Sequence, residues 1–264
     1  MISRFRPVLG WALLAALCAG VLVPVGILTR RDSRTVGTAS IAQTRSYRTL
    51  VLDAGHGGED GGAVSLTGVP ESRINLAIVK KLDQLLGLYG ADTVLLREED
   101  ISLHDPSAET LREKKRSDLQ NRVAAVEAQK DPVLLSIHQN SYPDGRYHGA
   151  QVFYANGEEA LLLAQRVQEA LRSALDPENT RAVKPISEDV YLMNHVSCPA
   201  ILVECGFLSN PEEETRLCSE AYQAQLAAVL AGAWLTAGAD GGGEEEALPQ
   251  YEGKDTVLLY RVRQ

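Results

Sequence analysis

Short apolar segments alternate with helical patterns through the middle of this chain. Five segments are short and apolar enough to form buried strands, at residues 51–53, 91–96, 133–137, 150–154 and 199–203. Between them, apolar residues recur at intervals of three and four positions, which is the spacing of an amphipathic helix. This alternation predicts a single α/β domain, in which helices cover both faces of a twisted, mostly parallel sheet.

The first predicted helix has the strongest pattern. It begins near Glu71, because the proline directly before it suits the first helical turn. Its apolar face consists of Ile74, Ile78, Leu82, Leu85, Leu86 and Tyr89. A densely charged segment at residues 97–118 then suggests a surface excursion, and a second helix is predicted from Leu119. Two more amphipathic helices are predicted at residues 160–175 and 222–233.

The N-terminal residues predict a membrane anchor. Residues 8–28 carry no charge, and as a helix they would extend roughly 31 Å, about the thickness of the hydrocarbon core of a bilayer. Arginines precede and follow this run. A cleaved signal peptide is the alternative, with residues 37–39 as its cleavage site, but its apolar core would normally be shorter. We therefore expect residues 1–31 to be a cytoplasmic tip and an uncleaved single-pass anchor, with the folded domain outside the cytoplasmic membrane.

Composition divides the rest of the chain into three parts. Residues 32–47 are small and polar and are predicted to be a linker. Residues 48–237 contain all of the patterned segments and are predicted to form the folded domain. Residues 238–264 begin as an acidic, glycine-rich linker and end in a short tail, with a predicted edge strand at residues 256–260.

Net charge and cysteine content argue against nucleic-acid binding, a disulfide framework and a cysteine zinc site. The net charge of −9 over 264 residues argues against nucleic acid as a partner. Cys198 and Cys205 flank a predicted strand that separates them by roughly 23 Å, much farther than a disulfide allows. No CxxC motif occurs, so these residues and Cys218 are predicted to be packing residues.

Candidate chemistry lies at the ends of the predicted strands. His56 follows the first strand in a glycine-rich turn, His138 follows the third, and Glu204 follows the last. Glu71 lies at the N-terminus of the first helix, where the helix dipole favours an ionised carboxylate. Open α/β sheets bind ligands outside the carboxyl ends of their strands. We therefore expect these four side chains to surround one cleft.

The four residue types together suggest metal-assisted hydrolysis. Two histidines and one glutamate form a known catalytic zinc set that leaves one position open for water, and zinc lowers the pKa of that water and polarises a substrate carbonyl. We assign the zinc to His56, Glu71 and His138. Glu204 is then the general base, which takes a proton from the water and returns it to the leaving amine. Three other histidines remain alternative ligands: His104, His148 and His195.

These residues lie in motifs that resemble those of the zinc-dependent N-acetylmuramoyl-L-alanine amidases, which cut peptidoglycan. The matching segments are residues 51–58 (VLDAGHGG), Glu71, residues 136–140 (SIHQN) and residues 203–210 (VECGFLSN). The resemblance covers residues 48–237, which we therefore expect to be the catalytic domain. It implies that His56, Glu71 and His138 bind zinc, that Glu204 is catalytic, and that the bond between N-acetylmuramic acid and L-alanine is cut.

The anchor and several finer motifs are similar to the membrane-anchored, sporulation-type amidases of spore-forming bacteria. These motifs are the basic stretch 112–122, residues 149–154 (GAQVFY) and residues 203–207 (VECGF). The resemblance implies a role in forming muramic-δ-lactam in the spore cortex, where the domain would lie in the wall or the forespore intermembrane space. An accessory protein is a further candidate partner.

Two substrate contacts are also expected, from Arg97 and Asn140, whereas Arg122 is expected to form a salt bridge on the surface of its helix.

Two other functions remain open on the sequence alone. One is a stem-peptide carboxypeptidase that uses zinc on the same polymer. The other is a catalytically silent wall-binding module, although binding alone would not require a base such as Glu204 beside a metal.

Overall fold

The computed structural model describes residues 48–237 of the chain. The predicted anchor, the linker that follows it and the predicted edge strand at residues 256–260 all lie outside the described residues. Within the described range, no helix is long and apolar enough to cross a membrane.

The core of the domain is a six-stranded sheet. In chain order its strands are β1 (Thr49–Ala54), β2 (Thr93–Leu95), β3 (Pro132–Asn140), β4 (Gln151–Ala155), β5 (Lys184–Pro185) and β6 (Ala200–Phe207). They lie side by side in the order β2-β1-β3-β6-β4-β5. Only the β4–β6 pair is antiparallel among these neighbouring strands. The prediction of a mostly parallel sheet is therefore confirmed.

Helices cover both faces of this sheet. They are α1 (Glu71–Leu88), α2 (Leu111–Glu127), α3 (Glu158–Leu175), α4 (Tyr191–His195), α5 (Pro211–Leu217) and α6 (Glu220–Ala237). One hydrophobic cluster contains buried residues of α1, α3, α5 and α6, and a second contains buried residues of α2 and α4. Leu50 and Leu52 of β1 belong to the first cluster and Val51 to the second, because successive strand residues point to opposite faces.

Helix α2 begins at Leu111, well before the predicted start at Leu119. Thr110 forms a capping box with Glu113, in which each side chain accepts a hydrogen bond from the other residue's backbone N–H. The buried residues of α2 are Ser117, Arg122 and Val126. The surface segment predicted at residues 97–118 was therefore too long. Two of the three buried residues are polar, so no apolar stripe in the sequence marks the start of the helix.

Strands β3 and β6 extend beyond their apolar segments. His138 and Glu204 were predicted to follow these strands, but they lie within them and are paired across the β3–β6 ladder. The register shifts between His138 and Asn140, which is a β-bulge or a related irregularity. Backbone pairing continues past the last apolar residue here, so a hydrophobic pattern underestimates the length of both strands.

The structure also differs from the prediction in the segments that connect the strands. Tyr89, predicted on the apolar face of α1, is 67% exposed, since the helix ends at Leu88 and the chain turns at Gly90 with a φ of 70°. The short helices α4 and α5 were not predicted.

The free cysteines agree with the prediction: Cys198 and Cys205 are buried and Cys218 is partly buried, all without disulfides.

A buried ion pair attaches α2 to the sheet. The side chains of Arg122 and Asp53 contact each other and are each 2% exposed. Asp53 also accepts a hydrogen bond of 2.6 Å from the hydroxyl of Ser136 on β3. The expected salt bridge along α2 exists, with Asp118, but its predicted place on the helix surface was wrong. Arg122 faces the sheet, where Asp53 supplies the counter-charge that a buried guanidinium requires.

Arg122→Ala should lower the free energy of unfolding by about 3–5 kcal/mol, because it leaves Asp53 buried without its counter-charge. Chemical denaturation would measure this. Arg146→Ala is a matched control, since its side chain is 91% exposed and pairs with Asp144 on the surface; we expect a change below about 0.5 kcal/mol. Equal stabilities of the two variants would contradict the importance of the buried pair.

Candidate metal centre and active site

His56 lies in a turn that other elements hold in place. Its φ is 62°, a left-handed conformation that costs a non-glycine residue about 1–2 kcal/mol. Arg122 donates a hydrogen bond of 2.7 Å to the His56 carbonyl. Arg97 donates one of 3.1 Å to the carbonyl of Gly55. Two guanidinium groups from outside the turn thus stabilise the conformation that places His56 at the end of β1.

Glu71 is the first residue of α1, and N–H donors surround its carboxylate. One oxygen, Oε1, accepts from the backbone N–H of Gln139 at 3.0 Å and from the side-chain amide of Asn75 at 3.2 Å. Burial raises the pKa of Glu71, but the charge of His56 and the hydrogen bond and charge of His138 outweigh this effect and lower it to about 2. Glu71 is therefore ionised at neutral pH, which is the form that a metal requires.

His56, Glu71 and His138 converge on one point. Nε2 of His56 lies 3.4 Å from Oε2 of Glu71, and Nδ1 of His138 lies 3.0 Å from Oε1 of Glu71. The two imidazole rings are 5.0 Å apart between centroids. One potential ligand atom from each residue lies within 4.8 Å of the other two, and within residues 48–237 no other group of three does so. Two imidazoles and a carboxylate are a donor set typical of zinc.

The electrostatics of this cluster favour a cation. Burial lowers the pKa of His56, but the charge of Glu71 and a hydrogen bond to Asp60 outweigh it, so the pKa is raised above its usual value. A negative field that favours a proton on His56 also favours a metal cation. Geometry, donor types and charge therefore all suit a metal ion.

Gly55 leaves room for the His138 ring. A Cβ atom at Gly55 would lie 2.2 Å from both Cε1 and Nε2 of His138. The two segments are held together because β1 and β3 are parallel neighbours, and the N–H of Gly55 donates to the carbonyl of Ile137 at 3.0 Å. Glycine at this position is thus a steric requirement of the arrangement of His56, Glu71 and His138.

Glu204 lies beside His138 in the adjacent strand. The two are paired Cα partners, and Oε2 of Glu204 is buried without a hydrogen-bond partner among the described residues. Burial raises the pKa of Glu204 to about 7; attraction to His138 opposes this rise and repulsion from Glu71 adds to it. A carboxyl group with such a pKa can accept and release a proton at neutral pH.

A family model described as N-acetylmuramoyl-L-alanine amidase matches residues 50–234, which is more than half of the chain and includes all four residues of the cluster. The chain belongs to this amidase family. The enzyme class predicted from the sequence motifs is therefore confirmed.

Individual relatives agree with the family assignment. The germination-specific N-acetylmuramoyl-L-alanine amidase of Bacillus subtilis (strain 168) is 35% identical over 186 residues, covering 70% of this chain and 77% of that protein. The CwlD amidase of Clostridioides difficile, solved in complex with the GerS lipoprotein, is 37% identical with a TM-score of 0.69 and covers 72% of this chain and 98% of that one. An N-acetylmuramoyl-L-alanine amidase from Clostridium difficile 630 is 30% identical with a TM-score of 0.63, covering 75% and 99%.

The other histidines of the amidase domain lie outside the cluster. Nδ1 of His104 is 2.9 Å from the hydroxyl of Ser102, and the ring of His195 stacks on that of Tyr191. His148 is exposed. The three histidines that were alternatives on sequence grounds therefore do not join Glu71 in this structure.

The two expected substrate contacts differ in their surroundings. The side chain of Arg97 is fully buried and donates to the carbonyls of Ala54, Gly55 and Ser72 as well as Glu99. Its expected role in substrate binding does not agree with this position, since its hydrogen bonds hold the backbone beneath the site. Asn140 is half-buried at the end of β3, two residues beyond His138, and remains a candidate.

Three residues of the amidase site were not predicted from the sequence. Asn75 and Gln139 bind the carboxylate of Glu71, and Asp60 binds the ring of His56. Asn75 lies four positions after Glu71, so the spacing of an α-helix could have predicted its contact with Glu71. Gln139 acts through its backbone N–H, which its residue type does not reveal.

Gly55→Ala should displace the His138 ring and remove most of the bound metal, because no side chain fits at 2.2 Å from the ring. Elemental analysis of the purified protein would measure the metal content. Gly87→Ala on α1 is the control, since nothing lies within 4 Å of a Cβ atom there. Full metal content in Gly55→Ala would show that His138 is not held by this contact.

Proposed function

We propose that this amidase hydrolyses the bond between N-acetylmuramic acid and L-alanine in peptidoglycan with one zinc ion. Family membership supports the substrate and the bond. The zinc is supported by the cluster of His56, Glu71 and His138. The observation that carries the mechanism is the position of Glu204, a buried carboxyl group beside His138 with one oxygen that has no hydrogen-bond partner among residues 48–237.

In this proposal the metal has three protein ligands, and Glu204 is not one of them. When bound, zinc would polarise the scissile carbonyl and lower the pKa of a water molecule. The ionised Glu71 offsets part of the metal charge. Gln139 and Asn75 hold its carboxylate in one orientation, as outer-shell partners of metal ligands commonly do.

Glu204 is the proposed general base and proton shuttle. It accepts the proton of the attacking water as the water's oxygen bonds to the scissile carbonyl carbon. It then transfers that proton to the nitrogen of L-alanine as the carbon–nitrogen bond breaks. The products are a free lactyl carboxylate on muramic acid and a peptide with a new L-alanine amine. Asn140 is proposed to form a hydrogen bond with the substrate near this point.

The products distinguish this reaction from its two rivals. Mass spectrometry of peptidoglycan digested with the purified enzyme should find free lactyl groups together with peptides that begin with L-alanine. A stem-peptide carboxypeptidase would produce neither, and a wall-binding module would leave the polymer intact. Either of those results would remove the proposed activity.

Glu204→Gln should retain about one equivalent of zinc and lose activity by about 10²–10⁴-fold or more, because the amide keeps the shape of the side chain but cannot accept the proton. Elemental analysis and the release of L-alanine-terminated peptides would measure the two effects. His138→Ala is the control for ligand loss and should lose most of its zinc. Zinc loss in Glu204→Gln would make Glu204 a ligand, and unchanged activity would contradict the proton-transfer mechanism.

A place outside the cytoplasmic membrane and a role in spores are parts of the same proposal. The relatives include a germination-specific amidase, and the uncharged run at residues 8–28 supports a single-pass anchor. Removal of the peptide from muramic acid would allow muramic-δ-lactam to form in the cortex. Because the CwlD amidase was solved in complex with a lipoprotein, an accessory protein is a candidate partner of this chain.

Protease added to intact protoplasts should digest the domain at residues 48–237, because the anchor would place it on the outer side of the membrane. Immunoblotting would follow its disappearance, with a cytoplasmic protein as the protected control. A mature protein that starts near Ser40 would contradict the anchor without affecting the proposed enzyme. Protection of the domain would contradict the orientation.

A further inference from the structure

The imidazole of His56 has a second contact, on the side that faces away from Glu71. Its Nδ1 lies 3.0 Å from Oδ1 of Asp60. The same oxygen accepts a hydrogen bond of 3.2 Å from the backbone N–H of Gly62, and Oδ2 lies 3.7 Å from Nζ of Lys115 on α2. Asp60 also exchanges backbone hydrogen bonds with Gly57, at 2.8 and 3.3 Å. Its carboxylate is thus held in place on one side of the His56 ring.

This contact favours one nitrogen of His56 over the other as a ligand. A neutral imidazole carries one proton, on either Nδ1 or Nε2, and the nitrogen without the proton offers its lone pair. A carboxylate at 3.0 Å from Nδ1 favours the proton on Nδ1. Nε2, which faces Oε2 of Glu71, is then free to bind a metal. The left-handed backbone at His56 places the residue but does not by itself choose between the two tautomers.

We propose that Asp60 is a positioning residue for the metal, which fixes the tautomer and ring orientation of His56 so that Nε2 faces the ligand cluster. This inference rests on the zinc site of the proposed function. Carboxylates that bind the outer nitrogen of a ligating histidine commonly have this effect.

The neighbouring residue provides a matched control. Glu59 also joins this turn to α2, through an ion pair with Nζ of Lys114 at 2.8 Å. Glu59 and Asp60 are adjacent carboxylates that pair with adjacent lysines, but among the described contacts only Asp60 touches His56. Loss of either one weakens the attachment of the turn to α2. Only the loss of Asp60 releases the imidazole.

The test compares Asp60→Ala, Asp60→Asn and Glu59→Ala with the parent protein, with and without zinc. Competition with a chelator gives the dissociation constant for zinc. Thermal unfolding of the metal-free protein gives the structural effect of each change. Nitrogen-15 NMR of the metal-free protein gives the tautomer of His56, a quantity that a merely structural role would not change.

Asp60→Ala should bind zinc about 10–100-fold more weakly than the parent, with Asp60→Asn in between, because an amide oxygen still accepts a hydrogen bond but has no charge. The dissociation constant for zinc of Glu59→Ala should stay within about threefold of the parent value, which is a small change beside the roughly 10–100-fold weakening expected for Asp60→Ala. His56 should carry its proton on Nδ1 in the parent and in Glu59→Ala, and lose this preference in Asp60→Ala.

Two results would overturn the inference: an unchanged zinc affinity in Asp60→Ala, or an equal loss in Glu59→Ala. Absence of zinc binding by the parent protein is a different outcome, since it would remove the proposed metal site. The tautomer of His56 would then still decide whether Asp60 orients the ring.

Discussion

The contact of Arg122 with the end of β1 is the interaction on which the site depends. One guanidinium group neutralises Asp53 and donates hydrogen bonds to the carbonyls of Ala54 and His56. Burying charge is costly unless every partner is present. The pair therefore stabilises only the arrangement in which α2 lies against the sheet and the chain turns after β1. That arrangement places His56 where it can meet residues from other strands.

The position of the candidate metal centre depends on this turn and on the order of the strands in the sheet. Because β3 lies directly beside β1, His138 reaches over Gly55 to within 3.0 Å of Glu71. Because β6 lies on the other side of β3, Glu204 is placed next to His138. The three residues of the candidate metal centre and the proposed proton acceptor thus come from three neighbouring strands and the helix after the first. They lie at the carboxyl ends of the strands, where open α/β sheets bind ligands.

The surroundings give the two carboxyl groups of the site opposite properties. The charge of His56 and the hydrogen bond and charge of His138 outweigh the effect of burial and keep Glu71 ionised, whereas burial raises the pKa of Glu204. One residue type can therefore serve as a permanent anion that binds a cation and as a group that exchanges protons. Substitutions in the supporting groups, such as Asn75 or Asp60, are expected to alter metal binding without removing any ligand.

The sequence by itself determined the α/β class, the segments that form the central strands, and the motif residues that make up the site. Periodic apolar positions and short motifs are local signals, and they suffice for these features. Only the tertiary structure decided the burial of Arg97 and Arg122, the early start of α2 and the contact of Asp60 with His56. The physical reason is that a buried charge is explained by its partners, and Arg122 is separated from Asp53 by 69 positions. Such pairs become visible only when the fold brings them together.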